Sequence, residues 1–301
     1  MTPIPSSADP APAAAPGSAP AVPAVDANPP VPDRGEAPPV PAAGAMPGLP
    51  PRYRVIFFLL RLFFDGYLKT EVSGRENVPP PGVPTILTAN HTSALDLFAL
   101  GHALGRPAAF AAKIELTRIP VFGPFLLSVG AIPTRRDERD TDVLRRLLAE
   151  LNAGRLIGLA PEGTRSLDGR LHAYDPGVVW LAARTGAVIV PCAIHGAYPL
   201  MPKGARIPHR GRIWVRFGAP MRWDDGQRRL RRDELEARAE TVRRRTLDLL
   251  AALVRESGVA NPALDEPGSG DQALYEAGSG KPALADPDAA GPPGDEGARP
   301  C

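Results

Sequence analysis

His91-Thr92-Ser93-Ala94-Leu95-Asp96 sets an imidazole and a carboxylate five positions apart. A carboxylate bonded to one imidazole nitrogen fixes the tautomer and leaves the other nitrogen free, which is the arrangement of a general base and its orienting group. Farther along, Pro161-Glu162-Gly163-Thr164-Arg165-Ser166 has the chemistry of an anion clamp. Gly163 lets backbone amides approach a ligand, Thr164 and Ser166 carry hydroxyls, and Arg165 presents a planar fork matched to phosphate. Glu162 is unsuited to touching a phosphate, because like charges repel; it is read as orienting Arg165, holding an acceptor hydroxyl or supporting the turn. Between the two peptides, Gly130-Ala131-Ile132-Pro133-Thr134-Arg135-Arg136 offers two adjacent guanidinium groups after a Gly/Pro turn. They could grip a phosphate, or form a solvated charge run with Asp137, Glu138, Arg139 and Asp140.

Elements that could position these groups alternate along the chain. Val83–Thr88, Ala108–Ala112, Leu156–Ala160, Val188–Ile194 and Arg212–Phe217 read as strands, several of them continuous apolar runs of the kind covered on both faces. Helical periodicity marks Asp140–Leu151 and Asp233–Val254, and Ser93 is placed to cap a helix over Ala94–Leu104. The expected fold is α/β, a mixed, mostly parallel central sheet flanked by helices. His91 then falls in the loop at the carboxyl end of a strand, the active edge of such sheets. Val190-Pro191-Cys192-Ala193-Ile194 reads as a buried strand whose proline marks an edge or a kink.

Composition bounds the domain. Residues 1–50 hold 15 of the 38 prolines in Ala/Pro alternation, and residues 257–301 are rich in Gly, Pro, Asp and Ala; both are expected to be disordered tails. Residues 51–70 and 71–256 remain as an interfacial helix and the main domain. The tails carry one basic against four acidic and two basic against eight acidic side chains, so a total of +2 conceals a core of +11. Such a core suits phosphate groups or an acidic lipid surface; nucleic acid is disfavoured, since no zinc-finger spacing or aromatic RNA-binding signature occurs. Two cysteines exclude a disulfide framework, and Cys192 reads as a small core hydrophobe. The five histidines lack close ligand spacing, so no metal is expected. No secretory signal is visible. Val55–Leu68 is short for a spanning helix and is interrupted by Arg61 and Asp65; with Arg52, Arg54 and Lys69 beside it, it suits the membrane interface, the alternative being a core helix packed on the domain.

The order His91-x-x-x-x-Asp96, then Gly130 to Arg136, then Pro161 to Ser166, then Val190-Pro-Cys-Ala-Ile194 resembles the glycerolipid acyltransferase family of the 1-acyl-sn-glycerol-3-phosphate acyltransferase type. Lys113–Leu116 and Ile119–Gly123 resemble its intervening segment, and the likeness covers most of residues 70–220. It implies an acyltransferase in which His91 and Asp96 are catalytic, while Arg136, Glu162, Gly163, Thr164 and Arg165 bind substrate. The acyl thioester of coenzyme A or of acyl carrier protein would be the co-substrate, with no cofactor. The implied product is phosphatidic acid, made from a lysophospholipid at the cytoplasmic face of the cell membrane by a peripheral protein. Glycerol-3-phosphate or another lysolipid is an alternative acceptor, and a non-catalytic anionic-lipid-binding protein is a second class. Ala160, Arg135 and Asp175 depart from the family's aromatic, acidic residue and lysine, which bears on the acceptor rather than on the reaction class.

Overall fold

The computed structural model describes residues 58–261 and Leu264, without 129, 135–139, 203, 206 and 224–229. Arg135, Arg136, residues 1–50 and most of the second tail therefore lie outside the described residues, as do residues 51–57 of the expected interfacial helix; of the second tail, Ser257 instead ends a helix and Asn261 donates to His195. Seven strands form one sheet: β1 (Glu71–Ser73), β2 (Thr85–Ala89), β3 (Ala109–Lys113), β4 (Ala131–Thr134), β5 (Leu156–Leu159), β6 (Val188–His195) and β7 (Trp214–Phe217). Their order is β1-β7-β6-β2-β5-β3-β4. Every neighbouring pair is parallel except β6 and β7. The sheet is thus mixed and mostly parallel, as the alternation of strands and helices implied.

Successive β2 residues face opposite ways, and both faces are covered. Ile86 joins Ile157, Ile189 and Met221 beneath helices α4 (Asp140–Asn152), α5 (Gly177–Thr185) and α7 (Arg232–Ser257), which contribute Leu151, Val178 and Leu250. Leu87 joins Val190 and Ile194 on the other face, beneath α1 (Asp96–Leu104) and the N-terminal helical segment. Two short helices, α2 (Ile114–Thr117) and α3 (Phe122–Ser128), fill the β3–β4 connection, and α6 (Ala197–Leu200) follows β6. A Cβ at Gly123 would strike the Thr117 carbonyl, so only glycine lets α2 and α3 approach this closely.

Three sequence expectations are corrected. Of the Gly/Pro turn before Arg135, Gly130 does lie in a turn, but Ala131–Thr134 is instead strand β4, which pairs with β3 alone; Pro133, lacking a donor, is tolerated because β4 is an edge. Pro191 lies in an interior strand, not at an edge: β6 runs between β2 and β7. Its missing N–H faces the bend between Phe217 and Met221, where the Gly218 amide donates to the Pro191 carbonyl at 2.7 Å. The third concerns Ser93. Helix α1 begins at Asp96, and the Ser93 hydroxyl accepts the Leu95 amide while donating to the Met201 carbonyl.

The N-terminal segment is helical from Phe58 and passes into a π-helical turn over Leu62–Tyr67. Phe64 and Leu68 are buried against the sheet, whereas Phe58, Leu59, Leu62 and Tyr67 are exposed. One apolar face thus packs and another does not. No helix among the described residues is long and apolar enough to cross a membrane.

Candidate active site

β2 and β5 are parallel neighbours, so the peptides that follow them leave the same edge of the sheet. His91 comes off β2, and its Nδ1 lies 3.2 Å from Asp96 Oδ2 at the start of α1. The same oxygen accepts the Thr92 and Ser93 amides at 2.6 and 2.7 Å. Asp96 is buried, and the imidazole is mostly so. The carboxylate is therefore fixed by the backbone of the loop it orients, and Nε2 is left as the nitrogen available for proton transfer.

The second peptide, coming off β5, is bound to the first through main chain and carboxylate. The His91 amide donates to Glu162 Oε1 at 2.8 Å, and the Ser166 amide donates to the His91 carbonyl at 2.8 Å. Glu162 Oε2 accepts the His172 amide at 3.1 Å. Of the three roles open to Glu162 in the sequence, support of the turn is the one these contacts describe, and the support extends to His91 itself. Glu162 is 2% exposed, and burial pushes its carboxyl up to about 8, against the pull of the two amides; Asp96 and Asp168 push it the same way as burial.

Gly163 has φ of 72°, a left-handed conformation that closes the turn through its amide onto the Ala160 carbonyl. It is exposed, and Thr164 and Arg165 are half-buried beside it. The structure thus brings His91, Asp96, Glu162, Gly163, Thr164 and Arg165 to one edge of the sheet, while Arg136 lies outside the described residues.

Several residues of this region carry no signal in the sequence. Asn90 donates to the Ile194 carbonyl and accepts the Ile194 amide, fastening the end of β2 to β6. Asp168 braces the clamp turn from inside by accepting the Ser166 hydroxyl and the Arg170 amide. Burial would raise its carboxyl, but those donors and His172 hold it below the ordinary value. Cys192 is fully buried and burial pushes its thiol up, which suits packing and not nucleophilic attack. Among the described residues no His, Cys, Asp or Glu cluster has the arrangement of a metal site.

An apolar cavity opens on the α1 side of the sheet, between Leu87, Phe98, Gly101, Phe125 and Leu126, with Arg61 also in its lining. Helix α1 connects it to the site, since Asp96 begins that helix and Phe98 and Gly101 line the cavity.

Residues 69–195, which span both peptides from the start of β1 to the end of β6, match the family described as Acyltransferase. This segment belongs to the acyltransferase family. The chain is 34% identical over 158 residues to the chloroplastic 1-acyl-sn-glycerol-3-phosphate acyltransferase LPAT1 of Arabidopsis thaliana, covering 52% of this chain and 44% of that protein. It is 30% identical over 188 residues to the 1-acyl-sn-glycerol-3-phosphate acyltransferase of Saccharomyces cerevisiae, covering 61% and 60%. The chain thus spans less than two thirds of the length of these relatives. The crystal structure of the 1-acyl-sn-glycerophosphate acyltransferase PlsC from Thermotoga maritima superimposes with a TM-score of 0.55 at 28% identity, over 67% of this chain and 81% of that one. In the acyltransferase domain of this chain, the His91 loop and the Arg165 turn both lie within the matched segment.

Proposed function

We propose that the protein transfers a fatty acyl group from an acyl thioester to the sn-2 hydroxyl of 1-acylglycerol-3-phosphate, giving phosphatidic acid. The observation that carries this reading is the double contact between the His91 backbone and the peptide bearing Arg165, which holds a base and an anion clamp at a fixed separation. Binding the acceptor phosphate at that separation from Nε2 would convert an encounter into a near-attack geometry. His91 takes the hydroxyl proton, and the oxygen attacks the thioester carbonyl. The tetrahedral intermediate collapses by breaking the C–S bond, and the imidazolium, paired with Asp96, returns its proton to the leaving thiolate. No acyl-enzyme forms. Arg165 and Arg136 hold the phosphate, Thr164 offers a hydroxyl, Gly163, without a side chain, leaves room for the phosphate to approach, and Glu162 keeps the His91 loop in place. The apolar cavity beside α1 suits an acyl chain.

The donor is acyl-CoA or acyl carrier protein, no cofactor takes part, and the protein works peripherally on an anionic membrane at its cytoplasmic face. The exposed Phe58, Leu59 and Leu62 support that placement. Incubating purified protein with radiolabelled acyl-CoA and a panel of lysolipids tests the proposal. 1-Acylglycerol-3-phosphate should be the preferred acceptor, and His91→Ala should abolish transfer while leaving vesicle binding intact. Transfer surviving that substitution would refute the assigned base.

A further inference from the structure

The loop after α6, residues 201–212, takes no part in the chemistry above, yet it contains the most exposed large apolar side chain among the described residues, Ile207 at 78%. This residue does not stand alone. The Tyr67 hydroxyl donates to the Pro208 carbonyl at 3.2 Å, and Leu59, Leu62, Phe63, Tyr67, Ile207 and Arg210 line one open groove. The loop is therefore continuous with the exposed face of the N-terminal helix. Its other end is fastened near the reaction centre: the Ser93 hydroxyl donates to the Met201 carbonyl at 2.7 Å. Just before the loop, Tyr198 donates to the carbonyl of Leu167, which adjoins the clamp turn and is itself 72% exposed.

Charge chooses the occupant. Residues 176–223 contain no Asp or Glu, while the loop contributes Lys203, Arg206, Arg210 and Arg212. On the two elements that adjoin the loop, Asp65 is engaged by Arg61 and His102, and Glu71 by Arg212. An exposed isoleucine in a segment whose charged residues are all basic suits an interface of acyl chains beneath anionic headgroups; the face of a protein partner mixes both signs. We infer that residues 201–212 are a second membrane-contact element, which seats with the helix at 58–67 on an anionic bilayer and turns the mouth of the site toward the lipid. The inference rests on the reading that the acceptor is a membrane lipid.

The test uses the full chain and two substitutions in Ile207, with vesicles of phosphatidylcholine alone or mixed with phosphatidylglycerol. Ile207→Glu withdraws an apolar insertion and adds a repelled charge, so binding to the mixed vesicles should weaken about tenfold. Acyl transfer to lysolipid in detergent micelles should be unchanged. Ile207→Trp should gain blue-shifted emission on the mixed vesicles, quenched by brominated lipid, beyond any change in the parent protein. Wild-type binding by Ile207→Glu, or Trp emission indifferent to vesicles, would overturn the inference. So would self-association that Ile207→Glu abolishes without altering vesicle binding, since the patch would then belong to a second copy of the chain. A parent protein that binds vesicles through Ile207 but transfers no acyl group in micelles would instead count against the proposed reaction.

Discussion

Replacing Glu162 by Gln should change how stability depends on pH, not merely lower it. Burial holds the Glu162 proton up to about 8 against an ordinary 4.5. The folded protein therefore keeps a proton that the unfolded chain releases, and between these two pH values the folded state loses stability as pH rises. At about 1.36 kcal/mol for each tenfold change in proton activity, the loss through this one group reaches about 5 kcal/mol by pH 8. Gln does not titrate. Its carbonyl can take one of the two amides, His91 or His172, but its NH₂ then faces the other, and a buried N–H left without an acceptor costs about 1–3 kcal/mol at any pH.

The variant should accordingly be about 1–3 kcal/mol less stable than the parent near pH 4.5 and about 2–4 kcal/mol more stable at pH 9, with the curves crossing between about pH 5 and 7. Urea unfolding at pH 5, 7 and 9, followed by the fluorescence of Trp180, Trp214 and Trp223, measures both curves. Parallel curves would show that Glu162 is ionised throughout and that burial does not govern its proton.

Other consequences follow from the same contacts. Asp96→Asn turns an NH₂ group toward the Thr92 and Ser93 amides or the His91 ring, so turnover should fall about 10²- to 10⁴-fold with vesicle binding preserved; unimpaired turnover would remove Asp96 from the chemistry. Arg165→Ala should raise KM for phosphate-bearing acceptors about 10- to 150-fold, the worth of a charged hydrogen bond, and equal loss on a neutral lysolipid would count against a phosphate clamp. Iodoacetamide should leave Cys192 unmodified and activity intact in the native protein, because the thiol is buried and its proton held; inactivation that tracks Cys192 alkylation would contradict this.

The interior of this fold is legible in the sequence because parallel strands covered on both faces are apolar along most of their length, and β2, β5 and β6 are written that way apart from Thr85, Thr88 and His195. The elements that escape notice lie at the margins. Glu71-Val72-Ser73 and Ala131-Ile132-Pro133-Thr134 form edge strands, too short and too weakly apolar to betray themselves, and the proline of the second argues against a strand until its edge position is known. Helix Gly177–Thr185 follows Pro176 within a loop-like stretch and has only nine residues. The antiparallel turn of β7 against β6 depends on tertiary packing and leaves no local signal. At the site, His91 and Asp96 are close in sequence, so their pairing could be anticipated. The hold of Glu162 on the His91 amide could not, because it requires knowing which strands are neighbours.

That neighbourhood explains how two peptides 71 residues apart come to share a hydrogen bond. Thr88 lies opposite Leu159 in the parallel ladder, and three residues farther along each chain are His91 and Glu162. Parallel strands run about 4.8 Å apart, so side chains that leave the same edge at matching positions meet without any reach. A slip of one residue would set Glu162 opposite Asn90 or Thr92 and turn it to the other face. β2 is secured against such a slip on both sides, by five residues paired with β6 and by the paired bonds of Asn90 with Ile194. The position of the base is thus a property of the sheet, whereas Thr164, Arg165 and the turn beyond them hang outside it. Substitutions such as Ala160 or those between Leu167 and Ala173 can therefore reshape what the clamp admits while the ladder keeps His91 where it is, and this is the part of the site in which acceptor preference is free to change.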